Sequence, residues 1–336
     1  MSKDIWSSSL EHHLKQWTCA KSVRIITASS PGLMTDALIY HKIFPSSEIV
    51  HHKDGRFFDI NIFIERFDEN ANENYPSKYN WLMLNLDMST ISDLSGVDLF
   101  LCKTEYCVKF LTARNIRNFV FTKHSSEDIC KDLPITYHKN WGLCVHFAGK
   151  SWLKNTNELI QTWIKYKGFG LTLIVTCKDL CYSSLKTRGI LLKKNGVLLK
   201  KSLSEIDKKY LLRIAGLVIC PSRCEGYGHY INEARSTGSI ILTTDHPSVD
   251  QFKGLKIPCI PSAKSKNVGG LLTEECDINS EDMMRCIAQY KQMSLAQKLF
   301  ICKQVRVGYD DDTMFLIKTL RNVISSQLFF IQDNIQ

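Results

Sequence analysis

Two glutamates eight residues apart, Glu225 and Glu233, stand in the stretch Ile219-Cys-Pro-Ser-Arg-Cys-Glu225-Gly-Tyr-Gly-His229-Tyr-Ile-Asn-Glu233-Ala. An ionised carboxylate accepts several hydroxyl hydrogen bonds at once, so the pair suits a ligand rich in hydroxyls. Gly226 and Gly228 lie between them and let a backbone come close to what it binds. A helix beginning near Tyr227 to His229 would aim its first N–H groups at an anion. Phosphate on one side and hydroxyls on the other describe a sugar nucleotide. The same residues also suit an ordinary strand-to-helix turn that needs glycine and carries surface acids.

The elements that must hold this turn are read from apolar runs and their punctuation. Strands alternating with helical patterns imply an α/β chain with parallel sheets and crossover helices. In the first half, strands are expected at 22–28, 48–51, 59–65, 80–87, 97–102 and 118–122. A helix capped by Thr35 runs to about Phe44, and 68–78 reads as a polar loop. Six strands before residue 125 suit one Rossmann-like domain, and 125–140 reads as a linker. In the second half, strands are expected at 142–148, 171–176, 190–192, 196–199, 217–220, 239–244 and 257–260. A helix from about Asn155 to Tyr166 has Thr156 and Asn157 as cap candidates, and Ser204 starts another that ends near Ala215. After Tyr309-Asp-Asp-Asp312 an amphipathic helix begins, with acids in its first turn where the helix dipole favours them. Asp310 and Asp312 form a D-x-D, read as helix-start acids in preference to metal ligands. The expected boundaries are 1–138, 139–308 and 309–336, and the turn with both glutamates falls at the carboxyl end of a parallel strand, where open α/β sheets bind ligands.

Composition bounds the rest. The chain has 336 residues, 44% hydrophobic and 23% charged, enough for two cores and far from the composition of disorder. The thirteen cysteines form no C-x-x-C. Cys102/Cys107, Cys177/Cys181 and Cys220/Cys224 have the wrong spacing for a zinc ribbon and read as buried thiols of a reducing compartment. Neither a signal peptide nor a membrane-spanning run is visible, so a cytoplasmic location is expected. The net charge of +9 includes a dense basic cluster from Lys186 to Lys209. Such a surface attracts nucleic acid, anionic membrane or a nucleotide diphosphate. No nucleic-acid module accompanies it, and nucleic acid is not expected as the partner. Peripheral membrane contact, by way of a lipid-linked acceptor, remains open.

Pro-Ser-x-x-Glu-Gly-x-Gly-His-x-x-x-Glu-Ala resembles the E-x7-E motif of retaining GT-B glycosyltransferases, those of family four and their relatives. The likeness continues through Arg235-Ser-Thr-Gly-Ser-Ile-Ile-Leu-Thr-Thr-Asp245-His-Pro247. Upstream, Val145-His-Phe-Ala-Gly149-Lys150-Ser-Trp-Leu-Lys154-Asn is similar to the strand and basic loop that hold the donor diphosphate. The resemblance covers the C-terminal half closely and the N-terminal half in layout only. It implies two Rossmann-like domains facing across a cleft, with a C-terminal helix crossing back to the first.

The resemblance implies a hexosyltransferase-type enzyme that takes a UDP- or GDP-linked sugar as co-substrate. Transfer to a glycan, a lipid-linked sugar or a protein would retain the anomeric configuration, with no cofactor and no metal. Glu225 would hold donor-sugar hydroxyls, and Glu233 the ribose. Lys150 and Lys154 would meet the diphosphate, with lysine where the family more often has arginine and an interval of four instead of five. Gly226, Tyr227, Gly228 and His229 would line sugar and phosphates, Val197 would lie near the nucleobase, and Gly32 would face the donor phosphate from the first domain. Asp87, Lys103, Thr104, Lys123 and His124 stand at further strand ends on the acceptor side, with no general base singled out. Two rival readings are a catalytically silent scaffold of this fold and a sugar-nucleotide epimerase.

Overall fold

The structure is a computed structural model that describes residues 21–87, 89, 94–131, 135, 137–149, 151–262 and 274–325. The chain divides into two units. One holds residues through Glu127 and those from Asp311 on; the other holds Asp128–Lys266 and Glu274–Asp310.

The first unit contains β1 (Val23–Ile26), α1 (Pro31–Ile43), β2 (Glu48–Val50), β3 (Phe58–Ile64), α2 (Ala71–Asn74), β4 (Ser77–Leu84), β5 (Leu99–Cys102), α3 (Glu105–Ala113) and β6 (Phe119–Phe121). Its sheet is parallel throughout, in the order β2-β1-β3-β4-β5-β6. Alternation sorts the side chains: Ile60, Ile62, Trp81 and Met83 face one core with Tyr40 and Ile43, while Phe63, Leu82 and Leu84 face the other with Phe110 and Leu111. Both faces are covered, as parallel sheets require.

The second unit contains β7 (Asn140–Gly149), α4 (Thr156–Lys165), β8 (Thr172–Cys177), α5 (Asp179–Lys186), α6 (Gly189–Lys194), β9 (Val197–Lys200), α7 (Glu205–Ile214), β10 (Ala215–Cys220), α8 (His229–Ser236), β11 (Ile240–Thr244), β12 (Leu255–Ile257), β13 (Cys259–Pro261), β14 (Cys276–Ile278) and α9 (Ser280–Gln292). The large sheet runs β12-β11-β10-β7-β8-β9, all parallel, and β13 pairs antiparallel with β14. Leu217, Ile219 and Leu242 face a core with Trp163, Ile287 and Tyr290. Val218, Cys220 and Ile241 face the opposite core with Leu212, Ile231 and Ala234. Every residue of the central strand β10 is buried.

Several sequence expectations are corrected. The first helix starts at Pro31 behind Ser30, with Thr35 inside it, because proline's fixed φ suits the first helical position. Residues 190–192 are helical within α6: a short apolar run does not distinguish strand from helix, and only Leu192 is drawn into the core. The expected strand at 257–260 is split, since Pro258 has no N–H for the ladder and β13 joins a different sheet. The D-x-D opens no helix. It lies within α10 (Leu295–Ser325), where Asp310 pairs with Arg306 and Asp312 with Lys123 at 2.6 Å. Gly308, one residue before Tyr309, lies inside the same helix with Arg235 close by. An added Cβ would meet its guanidinium at 2.8 Å. α9 was not expected, although Asn279 caps it and Glu281 and Asp282 occupy its first turn. The free thiols of the described side chains are buried except for Cys259, which is half-buried.

Gly216, in β10, is pressed against neighbouring backbone. An added Cβ would collide with the Tyr290 hydroxyl and lie 2.9 Å from both Asn140 O and Trp141 Cα. Tyr290 Oη is itself held by Trp141 O at 2.9 Å. Gly216→Ala should therefore destabilise the chain by about 1–3 kcal/mol, read as a lower urea midpoint. An unchanged midpoint would mean that β10 has room to shift.

Candidate functional site

β10 delivers its chain to the turn Pro221–Gly228, and α8 follows at once. Gly228 sits before α8 in the left-handed region (φ 85°), where a Cβ would strike Ile231 Cδ1 at 2.8 Å. Only glycine meets both conditions easily. The first N–H groups of a helix lack intrahelical acceptors, and α8 has no side-chain cap. That end carries partial positive charge.

Glu225 is held at several points. Its backbone N–H donates to Ser248 Oγ at 3.1 Å. Ser248 in turn is fixed by His246, whose Nδ1 accepts from the Ser248 N–H at 3.1 Å and whose Nε2 lies 3.0 Å from Glu274 O. The Glu225 carboxylate accepts from Lys154 Nζ at 2.5 Å and from the Tyr230 hydroxyl at 3.2 Å. Tyr230 also meets Ser222 Oγ at 2.7 Å, and Lys154 Nζ sits 3.9 Å above the Tyr230 ring.

Lys154 arrives through a short helical turn, Trp152–Lys154. Arg223 N donates to Leu153 O at 2.8 Å and so ties this turn to the one carrying Glu225. The Arg223 guanidinium is anchored by Glu275 at 2.9 Å, Asp277 at 2.7 Å and Ser262 Oγ at 2.9 Å. β13 and β14 thereby brace the site.

Glu233 lies one turn into α8, buried. Lys208 Nζ of α7 stands 2.8 Å from its Oε2. The contact is one of charge: its angle leaves Oε2 without a hydrogen bond. That oxygen keeps acceptor capacity for a hydroxyl.

The structure thus brings Glu225 and Lys154 into direct contact and sets Gly226, Tyr227, Gly228, His229 and Glu233 along the same turn and helix. Tyr227 is buried, edge-on to Phe252 and His229 with ring centroids 5.5 and 5.4 Å away. Val197 turns its side chain into the core. Gly32 is in α1 of the first unit, with open space where a Cβ would go. Lys150 lies outside the described residues. Sequence reading missed Lys208, Tyr230, Ser248 and His146. Tyr230 stands inside the motif itself, next to His229, where a phenol so close to two acids was a usable signal. Lys208 offered none, since a lysine in a basic cluster looks like solvated surface.

The first unit has a polar cluster of its own. His124 Nε2 meets Asp36 Oδ1 at 2.5 Å, and Lys103 Nζ is 4.0 Å from Asp36. Thr104 is occupied in capping α3, its Oγ1 accepting from Cys107 N at 3.2 Å. Glu65 accepts from Asn85 Nδ2 at 2.8 Å, and burial raises its pKa. Asp36 and Glu65 had no sequence signal beyond their type.

No protein-family model matches this chain, and no curated protein matches it. Solved structures do. The chain is similar to the pneumococcal O-GlcNAc transferase GtfA, solved with UDP and GlcNAc, at 13% identity and a TM-score of 0.54 over 94% of this chain and 59% of that one. It is similar to WaaG, a glycosyltransferase involved in lipopolysaccharide biosynthesis, at 12% identity and a TM-score of 0.54 over 91% of this chain and 100% of that one. A glycosyltransferase from Rickettsia africae gives 10% identity and a TM-score of 0.59 over 90% and 97%. The fold is GT-B. At these identities the likeness concerns the fold alone, and the chain spans 59% of the length of GtfA. No helix among the described residues is long and apolar enough to cross a membrane.

Beneath the Lys154–Glu225 contact lies His146 of β7, fully buried, with Nδ1 2.8 Å from Ile219 O and Nε2 3.0 Å from Thr156 Oγ1. Burial pushes its pKa down to about 4 from 6.5, and the nearby Lys154 charge acts the same way. With the folded value depressed, the unfolded chain binds the extra proton between these limits, so stability falls as pH drops from 6.5 toward 4. The slope approaches 1.4 kcal/mol per pH unit for one group, roughly 3 kcal/mol across the window. Urea unfolding of wild type and His146→Gln over that range should show a flatter profile for the variant. Equal slopes would assign the effect elsewhere.

Proposed function

We propose that the chain is a retaining glycosyltransferase that moves a sugar from a nucleotide-sugar donor to a hydroxyl acceptor. One observation carries the reading. A buried carboxylate faces an ammonium at the mouth of an uncapped helix, and the same helix bears a second buried carboxylate, paired with Lys208, whose lone pairs exceed what one ammonium fills. Two carboxylates for hydroxyls and two positive features for a diphosphate match a nucleotide sugar, UDP- or GDP-linked. The GT-B fold and the E-x7-E resemblance support the same assignment, in the hexosyl class.

In this reading the α8 N-terminus and Lys154 take the donor diphosphate, Glu225 the sugar hydroxyls and Glu233 the ribose. As the bond from sugar C1 to the phosphate oxygen breaks, negative charge grows on the leaving diphosphate. Lys154 and the helix N-terminus oppose it without reorganising, which lowers the barrier. Lysine supplies a point charge and no bidentate fork, so it opposes the phosphate charge without fixing the phosphate's orientation. The acceptor hydroxyl then bonds to C1 on the face the diphosphate left, and its proton passes to the leaving phosphate. Positive side chains and the helix end carry the charge, with no metal ion assigned. Lys208 holds the Glu233 carboxylate in place for the ribose.

Release of nucleoside diphosphate from a panel of UDP-, GDP- and ADP-sugars tests the proposal, with Glu225→Ala run beside wild type. One donor should be turned over, and the variant should lose roughly a hundredfold or more. No release from any donor, joined with no thermal stabilisation by any nucleoside diphosphate, would sink the donor assignment and leave a silent scaffold. Turnover of the sugar nucleotide to an isomer without diphosphate release would indicate an epimerase.

A further inference from the structure

The basic stretch of the second unit supplies none of the charged groups placed around Glu225 and Glu233 above. From Lys186 to Lys201, six of sixteen residues are Lys or Arg, and none is Asp, Glu or aromatic. The fold makes this stretch the end of α5, all of α6 and β9, the edge strand of the large sheet. Leu185, Leu192 and Val197 enter the core. Ile190, by contrast, is 90% exposed, with Leu191 at 42% and Leu198 at 41%. Lys186, Lys193, Lys194, Lys200 and Lys201 are exposed around them. Along β9, Leu198 and Lys200 share one face because side chains alternate.

Lysines on an edge strand commonly guard against pairing with another chain. That accounts for Lys200 and Lys201. It does not account for an isoleucine almost wholly in water, next to two half-bare leucines.

We propose that the α6–β9 edge docks on an anionic phospholipid membrane. The aliphatic side chains enter the boundary between headgroups and acyl chains, and the surrounding ammonium groups meet lipid phosphates and carboxylates. Charge selects an anionic partner, and the exposed aliphatics select lipid over nucleic acid. A nucleic-acid backbone would engage the lysines but leave Ile190 in water, and the stretch has no aromatic ring to stack on a base. The inference stands apart from the donor-site reading, since Ile190, Leu191, Leu198 and the lysines it uses are none of the residues assigned to the donor.

Co-sedimentation of the full chain with phosphatidylcholine vesicles, with and without phosphatidylserine, tests it. Binding should require phosphatidylserine and weaken at high salt. The pair K193E/K194E should weaken it roughly tenfold or more. I190E should weaken it as well, and I190S is a second variant at the same exposed site. All these positions face solvent, so melting temperatures should match wild type and separate a docking effect from misfolding. Excess duplex DNA or single-stranded RNA should not displace the chain from the vesicles. No binding, binding untouched by I190E and I190S, or displacement by nucleic acid would each overturn the proposal.

Discussion

The site depends on a buried charge being met by its opposite. Glu225 stands buried in the turn that follows a fully buried strand, where an unpaired carboxylate would bear a desolvation cost of several kcal/mol. Lys154 offsets that cost at 2.5 Å, with the Tyr230 hydroxyl as second donor. The remainder of the local structure serves to keep this meeting in register. Arg223 clasps the lysine's turn through Leu153, Ser248 holds the glutamate's backbone, and His146, within reach of both charges, is neutral near neutral pH. Removing either partner would leave the other stranded, which is worth roughly 3–5 kcal/mol for a fully buried pair and less here, since Lys154 keeps some contact with solvent.

The same pairing shapes the proposed chemistry. An ammonium already paired with a carboxylate is neither mobile nor fully hydrated, so a diphosphate arriving at the α8 N-terminus meets a charge that is positioned in advance. Glu225 and the diphosphate would then share Lys154. As charge accumulates on the leaving phosphate, the share tips toward it, which favours the transition state over the bound donor. Glu233 and Lys208 repeat the arrangement one helical turn away, with carboxylate lone pairs remaining for a hydroxyl.

Much of this was legible in the sequence because the signals were local. Alternating strands and helices marked the sheets, and the glycines around Tyr227 marked the turn. Glu225 and Glu233 stood out by residue type and by the resemblance of their interval to the E-x7-E motif. What escaped was set by distance along the chain. Lys208 reaches Glu233 from another helix, and His146 reaches Ile219 on the neighbouring strand, 73 residues along the chain. Asp36 and His124 meet from positions 88 residues apart. The misread elements were cases in which tertiary contacts overrode a local cue. An apolar triplet became helical because only Leu192 was needed inside, and Asp310 and Asp312, expected to open a helix, lie within one where they pair with Arg306 and Lys123.

A structure of the chain with a bound nucleoside diphosphate would test the central claim most directly. The account predicts the diphosphate within hydrogen-bond reach of Lys154 Nζ and the first N–H groups of α8, with a ribose hydroxyl on Glu233 Oε2. A nucleotide bound elsewhere, with Lys154 still closed on Glu225 and Glu233 untouched, would contradict it.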